Sequence, residues 1–145
     1  MPSAGQVFTL CNIAVLPAWL LLAVLPGWRW TRVIAAYLTP SLLAILYIVL
    51  MLVRFDSNVG GFGSIDEVSQ MFQNPWLLLA WWVHYLVFDL FVGAWQVRDA
   101  QRLGIRHGLV IPCLALTFVA GPAGLLVYFA LRAFLIRRWP GVEPG

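Results

Sequence analysis

Four long apolar stretches, at about residues 6–25, 33–53, 75–97 and 108–134, constrain this chain more than any motif it carries. Each approaches the ~20 residues that a helix rising about 1.5 Å per residue needs to cross ~30 Å of hydrocarbon. The chain therefore reads as all-α and polytopic, a four-helix transmembrane bundle forming a single integral membrane domain over residues 1–145. Composition points the same way: 62% of the residues are hydrophobic, 10% are charged, and the mean hydropathy is +0.87. A soluble domain of this size would leave too much of that surface in water.

Breakers fall where the spans should stop. Pro26-Gly27 follows the first, Asp56-Ser57-Asn58 with Gly60, Gly61 and Gly63 follows the second, and Pro140-Gly141 follows the fourth. Trp28, Trp30, Trp76, Trp81, Trp82 and Trp139 cluster near span ends, as an interfacial aromatic belt does, whereas Trp19 and Trp95 lie deeper. The one long connection, about residues 54–74, contains Ser64 and, three residues on, Glu67, the pattern of a capping box. Ile65, Val68, Met71 and Phe72 then share a helical face. A short amphipathic helix lying on the membrane is expected between spans two and three, with an ordinary loop as the alternative. The N-terminus has neither the basic region nor the cleavage site of a secretory signal, so the first span is expected to be retained.

All nine basic residues are Arg and the net charge is only +3, which provides no basic stripe for nucleic acid. An even number of spans would put both termini and the long loop on one side, with Arg54, Arg137 and Arg138 there and Arg132 at the helix end. The other side carries Arg29, Arg32, Arg98, Arg102 and Arg106, which makes it the expected cytoplasmic face by a small margin. Cys11 and Cys113 sit in apolar segments and read as small buried hydrophobes rather than a disulfide or zinc site. Neither a metal nor another cofactor is expected, and nothing in the sequence specifies an oligomer.

The third stretch, Trp81 to His107, sets His84 and Asp89 inside an apolar run, and ionisable groups at that depth read as functional by default. At about 100° per residue, His84 shares a face with Phe88, Phe91, Trp95 and Arg102, while Asp89 stacks with Tyr85, Gly93 and Gln96 on a face rotated by about 140°. The two cannot form one stripe, so a shared site requires a cleft flanked by neighbouring helices. A lone carboxylate there stays protonated unless it meets Arg, His or hydroxyl partners. Thr117 and Asn12 lie in otherwise apolar helices and are candidate partners, or interhelical hydrogen-bond glue.

Arg98, Asp99, Arg102, Arg106 and His107 form a compact charged turn after the third span. It reads either as a solvated positive-inside loop with an Asp99–Arg102 surface pair, or as a polarising mouth to an intramembrane cavity. In the fourth span, Pro122 releases a backbone carbonyl and kinks the axis, and Gly121 and Gly124 admit the close approach of a helix or a flat ligand.

The succession Trp82-x-His84, Asp89-Leu90-Phe91, Asp99, Arg106-His107, Cys113-Leu114 and Gly121-Pro122-x-Gly124 resembles the abscisic-acid-deficient-4-like family. The likeness extends to Asn12 and to Val15-Leu16-Pro17. Plant members of that family are integral membrane proteins of the chloroplast, required for making neoxanthin from violaxanthin. The resemblance implies a bilayer-embedded protein acting on an apolar polyene or isoprenoid. With no Ser/Arg-rich transit extension, the chain looks like a bacterial-type relative in an inner membrane. Opening an epoxy-carotenoid to an allene is an isomerisation: one proton reaches the epoxide oxygen and another leaves a neighbouring carbon.

The resemblance thus implies a cofactor-independent isomerase, with His84 and Asp89 as acid and base and Asp99, Arg106 and His107 as further family-matching catalytic candidates. Tyr85, Phe88, Phe91, Trp95, Trp19, Asn12 and Thr117 are the candidate walls and polar contacts of a polyene site. Two other classes stay open: a non-enzymatic carotenoid- or lipid-binding membrane protein, and, less favoured, a haem or metal protein using His84 as a single axial ligand.

Overall fold

Ser3 opens the first helix with a reciprocal cap: its Oγ accepts from the Gln6 N–H at 3.2 Å, and its own N–H donates to Gln6 Oε1 at 2.9 Å. In the computed structural model, which describes residues 2–55 and 60–136, α1 (Ala4–Val24) ends just before Pro26-Gly27, as expected. The Asp56-Ser57-Asn58 breakers, Arg137, Arg138, Trp139 and Pro140-Gly141 lie outside the described residues. The second span is one rod, Arg29–Arg54, in which α2 (Arg29–Arg32) passes through a π-helical turn at Val33–Leu38 into α3 (Thr39–Arg54). Pro40 has no N–H to offer the Ala36 carbonyl, and the wider turn before it absorbs the mismatch.

The amphipathic helix of the long connection is α4 (Ile65–Gln73). Ser64 Oγ accepts from the Glu67 N–H at 3.2 Å, but the Glu67 carboxylate returns to the Gly63 N–H at 2.9 Å rather than to Ser64. Met71 is buried beneath it while Ile65 stays exposed. Asn74 Oδ1 then caps α5 (Pro75–Arg102) by accepting from the Trp76 N–H at 2.9 Å. At 28 residues, α5 is about 42 Å long. It outreaches the hydrocarbon, which brings its last turn to the interface.

Four helices are long and apolar enough to cross a membrane, and no strand occurs among the described residues. The core is built on α5, whose Val83, Leu90 and Ala94 are buried with Val15 and Leu22 of α1 and Leu43 and Leu50 of α3. α1 and α5 run in the same direction. Trp82 Nε1 donates to Asn12 Oδ1 at 3.3 Å near one end, Trp19 closes on Gly93 midway, and Gln101 Nε2 donates to the Pro26 carbonyl at 2.7 Å at the other.

The last helix, α6 (His107–Ile136), does not follow the path expected of a fourth span. Ala120 leaves helical geometry, with φ −149° and ψ 71°, and divides the helix into arms 107–119 and 121–136. In a straight helix residues 117 and 124 are about 10 Å apart along the axis. Here they touch: a Cβ placed on Gly124 would overlap the backbone and hydroxyl of Thr117. Along α5, Asp89 abuts Gly121, Trp95 packs on Tyr128 at 5.5 Å between ring centroids, and Asp99 bonds Arg132 at 2.9 Å. The second arm therefore runs beside α5 and in its direction, back toward the end where the first arm began.

α6 is thus an intramembrane hairpin whose turn lies at the mid-depth of α5. Arg132, expected on the long-loop side, is instead at the opposite end with Arg98, Arg102 and Arg106. The physical reason is a combination: Pro122 breaks the ladder, glycines at 121 and 124 remove the side chains that would hold the arms apart, and Asp99 ties the returning arm down.

Candidate functional site

Asp89 occupies the middle of α5 and, as the helical wheel requires, points away from His84. It faces the hairpin turn, and glycine is needed opposite it because a Cβ at Gly121 would overlap Asp89 Oδ1. The carboxyl is buried, with 8% of the residue exposed, and its Oδ2 has no hydrogen-bond partner among the described residues. Beside it lies the Tyr85 hydroxyl. That hydroxyl donates to the Val119 carbonyl at 3.0 Å, a carbonyl freed by the break at Ala120. The returning arm starts here as well, so its first N–H groups and the positive end of its dipole lie near Asp89.

Tyr85 joins this polar spot to an apolar groove. The groove has a volume of about 480 Å³ and runs between the first halves of α1 and α5, with Phe8, Leu78, Trp81 and Trp82 among its walls. Asn12 ties its Trp82 wall to α1: it accepts from Trp82 while its own amide nitrogen donates to the Phe8 carbonyl at 2.8 Å. A second apolar groove, about 240 Å³, separates α1 from the first arm of α6 and is lined by Trp19 and Phe118, which meet edge to face at 5.4 Å.

Of the other sequence-derived site residues, several are placed apart from Asp89. The His84 ring lies in an aromatic cluster with Tyr47 at 5.6 Å, Trp81 at 5.8 Å and Phe88 at 4.6 Å, on the α3 side of α5. The shared cleft that would bring His84 to Asp89 is not formed, because α6 closes on Asp89 while His84 packs on the α3 side of α5. Phe88 and Phe91 point outward and are 56% and 46% exposed, where lipid would lie. Trp95 packs on Tyr128 and on Phe129, whose ring is at 5.7 Å.

Thr117 is glue between helices: its hydroxyl meets Gln96 Nε2 at 3.0 Å, Gln96 Oε1 at 3.2 Å and the Cys113 carbonyl at 2.8 Å, all buried. His107 Nε2 sits 2.8 Å from the Ala23 carbonyl and pins the start of the hairpin to the end of α1, while Arg106 is exposed. Among the described residues, no group of three His, Cys, Asp or Glu side chains comes together as a metal site.

Asp99 is a correction to the sequence reading of an exposed Asp99–Arg102 pair. Its Oδ2 accepts from the Tyr128 hydroxyl at 2.8 Å and from Arg132 Nε at 2.9 Å, and all three residues are buried. Arg102 reaches Oδ1 only at 3.9 Å and is largely exposed. Sequence reasoning missed Tyr128 and Arg132 as partners because a straight fourth span carries them to the far side of the membrane. An Arg and a Tyr spaced i, i+4 in an apolar helix were the available signal.

Comparison with known proteins gives two matches. Residues 6–128 match a family described as ABA DEFICIENT 4-like. The chain is also 26% identical over 143 residues to Protein ABA DEFICIENT 4, chloroplastic, of Arabidopsis thaliana, an alignment covering 91% of this chain and 63% of that relative. The chain thus spans less than two thirds of the relative's length. No solved structure matches.

Proposed function

Because the chain belongs to the ABA DEFICIENT 4-like family, we propose that it performs acid–base isomerisation of an oxygenated polyene, such as an epoxy-carotenoid, from within the bilayer of a bacterial inner membrane. A role related to neoxanthin synthesis is the family-level part of this reading. The catalytic part rests on one observation: a buried carboxyl oxygen, Asp89 Oδ2, lies without a partner among the described residues at the turn of an intramembrane hairpin, beside a tyrosine that also lines an apolar groove.

A polyene is long, flat and apolar, and a groove walled by Phe8, Trp81 and Trp82 suits its burial. Its oxygenated end would meet Asp89. A neutral carboxyl there donates its proton as the carbon–oxygen bond of the epoxide breaks. The resulting carboxylate then takes up the proton lost from the neighbouring carbon, so no electron acceptor is needed and Asp89 returns to its starting form. Tyr85 orients the carboxyl and the Val119 carbonyl.

The test is pigment analysis of a violaxanthin-accumulating host expressing the chain. Wild type is expected to convert the epoxy-carotenoid, Asp89→Asn to lose about 100-fold or more in rate, and His84→Ala to retain most of it. No change in any epoxy-carotenoid with wild type defeats the enzyme reading. Full activity in Asp89→Asn defeats the assignment of the carboxyl.

A further inference from the structure

At the other end of α5, away from the groove, a second feature has no place in the isomerase reading. Arg98 and Arg32 line a small pocket wedged between the end of α1, the start of the second rod and α5. Thr31 and Gln101 also line it, but both are already satisfied: Thr31 Oγ1 donates to the Leu25 carbonyl at 2.7 Å and Gln101 Nε2 to the Pro26 carbonyl. The two guanidinium groups differ from them: Arg32 is exposed to solvent, and Arg98 is half-buried. Neither Arg32 nor Arg98 has a carboxylate partner among the described residues, the nearest acid, Asp99, being turned toward Tyr128 and Arg132. Arg98 Nε is buried and has no acceptor among the described residues.

This burial separates Arg98 from an arginine that serves only membrane topology. Such a residue snorkels, burying its methylenes and keeping its whole head group in water. Holding a cationic N–H out of water without an acceptor is unfavourable unless something supplies one. The pocket has about 20 Å³ of free volume, room for one oxygen-sized group. A larger group must therefore insert one atom and leave the rest at the mouth, where Arg32 stands exposed.

We propose that this wedge binds a phosphate group, one oxygen entering the pocket to accept from Arg98 Nε and the others meeting Arg32 at the mouth. A tetrahedral oxyanion on two guanidiniums suits the forked donors of arginine. The site lies at the membrane face that carries Arg29, Arg102, Arg106 and Arg132 as well, where phosphate headgroups are the local anions. The shared chemistry admits two sources, an anionic phospholipid or a free phosphate ester, and the arms of the experiment separate them.

The full chain in detergent is titrated with phosphatidylglycerol, with a galactolipid of the same acyl chains that carries no phosphate, and with inorganic phosphate, bound species being counted by native mass spectrometry. Phosphatidylglycerol is expected to bind and the galactolipid not. Arg98→Gln should weaken binding about tenfold, one lost charge-assisted contact. Arg29→Gln, which removes a charge on the same face that stacks on Trp30, should change it less than about twofold. Arg98→Lys keeps the charge but loses the buried N–H, and is expected to fall between wild type and Gln. With helicity checked by circular dichroism, it carries the test if the Gln variant misfolds.

Competition by inorganic phosphate at the same concentrations as the lipid supports the site and assigns it to a free phosphate. Competition only at great excess supports it and assigns the lipid. Wild-type affinity in the Arg98 variants, an equal loss in Arg29→Gln, or equal binding of the galactolipid overturns the proposal.

Discussion

Replacing Arg132 with Met tests the hairpin through its buried lock. Asp99 Oδ2 holds two donors, Tyr128 Oη at 2.8 Å and Arg132 Nε at 2.9 Å, and only 8% of Asp99 is exposed. Removing Arg132 forfeits a charge-assisted bond of about 1.5–3 kcal/mol and leaves the carboxylate buried with a hydroxyl. Broken buried pairs cost ~3–5 kcal/mol. Arg102, at 3.9 Å with a 66% exposed side chain, returns about 1 kcal/mol at most. The expected loss in Arg132→Met is therefore about 3 kcal/mol.

Removing the whole cluster together, Asp99→Leu with Arg132→Met and Tyr128→Phe, orphans none of the three polar groups that meet at Asp99 Oδ2. It should recover most of the loss, to within about 1 kcal/mol of wild type. The measurement is reversible unfolding in mixed micelles, followed by circular dichroism as the fraction of denaturing detergent rises. On a straight fourth span, Asp99 and Arg132 would sit at opposite membrane faces and their substitutions would simply add. A single-variant loss below about 1 kcal/mol, or strict additivity between positions 99 and 132, refutes the fold-back.

Further outcomes follow from the same geometry. A reporter fused after the last residue should be cytoplasmic and one fused to the N-terminus should lie on the opposite side, since arginines 29, 32, 98, 102, 106 and 132 gather at one face; two reporters on one side would mean that α6 crosses. Gly124→Ala should destabilise by ~1–3 kcal/mol, because its methyl would overlap the Thr117 backbone. Gly27→Ala, with open space around it, should stay within about 0.5 kcal/mol of wild type in the same unfolding assay.

How many apolar helices the chain forms and where they start was written in the sequence, because hydropathy over twenty residues and local caps are short-range properties. Ser64 announced α4, and Pro26-Gly27 announced the end of α1. The helical wheel also separated His84 from Asp89 and grouped Asp89 with Tyr85, Gly93 and Gln96, the face that α5 turns toward α6.

What no local pattern contained was the direction of the chain after Ala120. A shallow proline kink and a full reversal share the same Gly121-Pro122-x-Gly124 sequence, and they differ only in which distant groups the second arm meets. Tertiary contacts decided it: Thr117 with Gln96, Gly124 against Thr117, and Arg132 with Tyr128 on Asp99. Those contacts moved Arg132 to the other face of the membrane, covered the Asp89 side of α5 and left His84 among aromatic rings. The depth of Asp89 follows from counting residues; its environment exists only once the hairpin has closed on it.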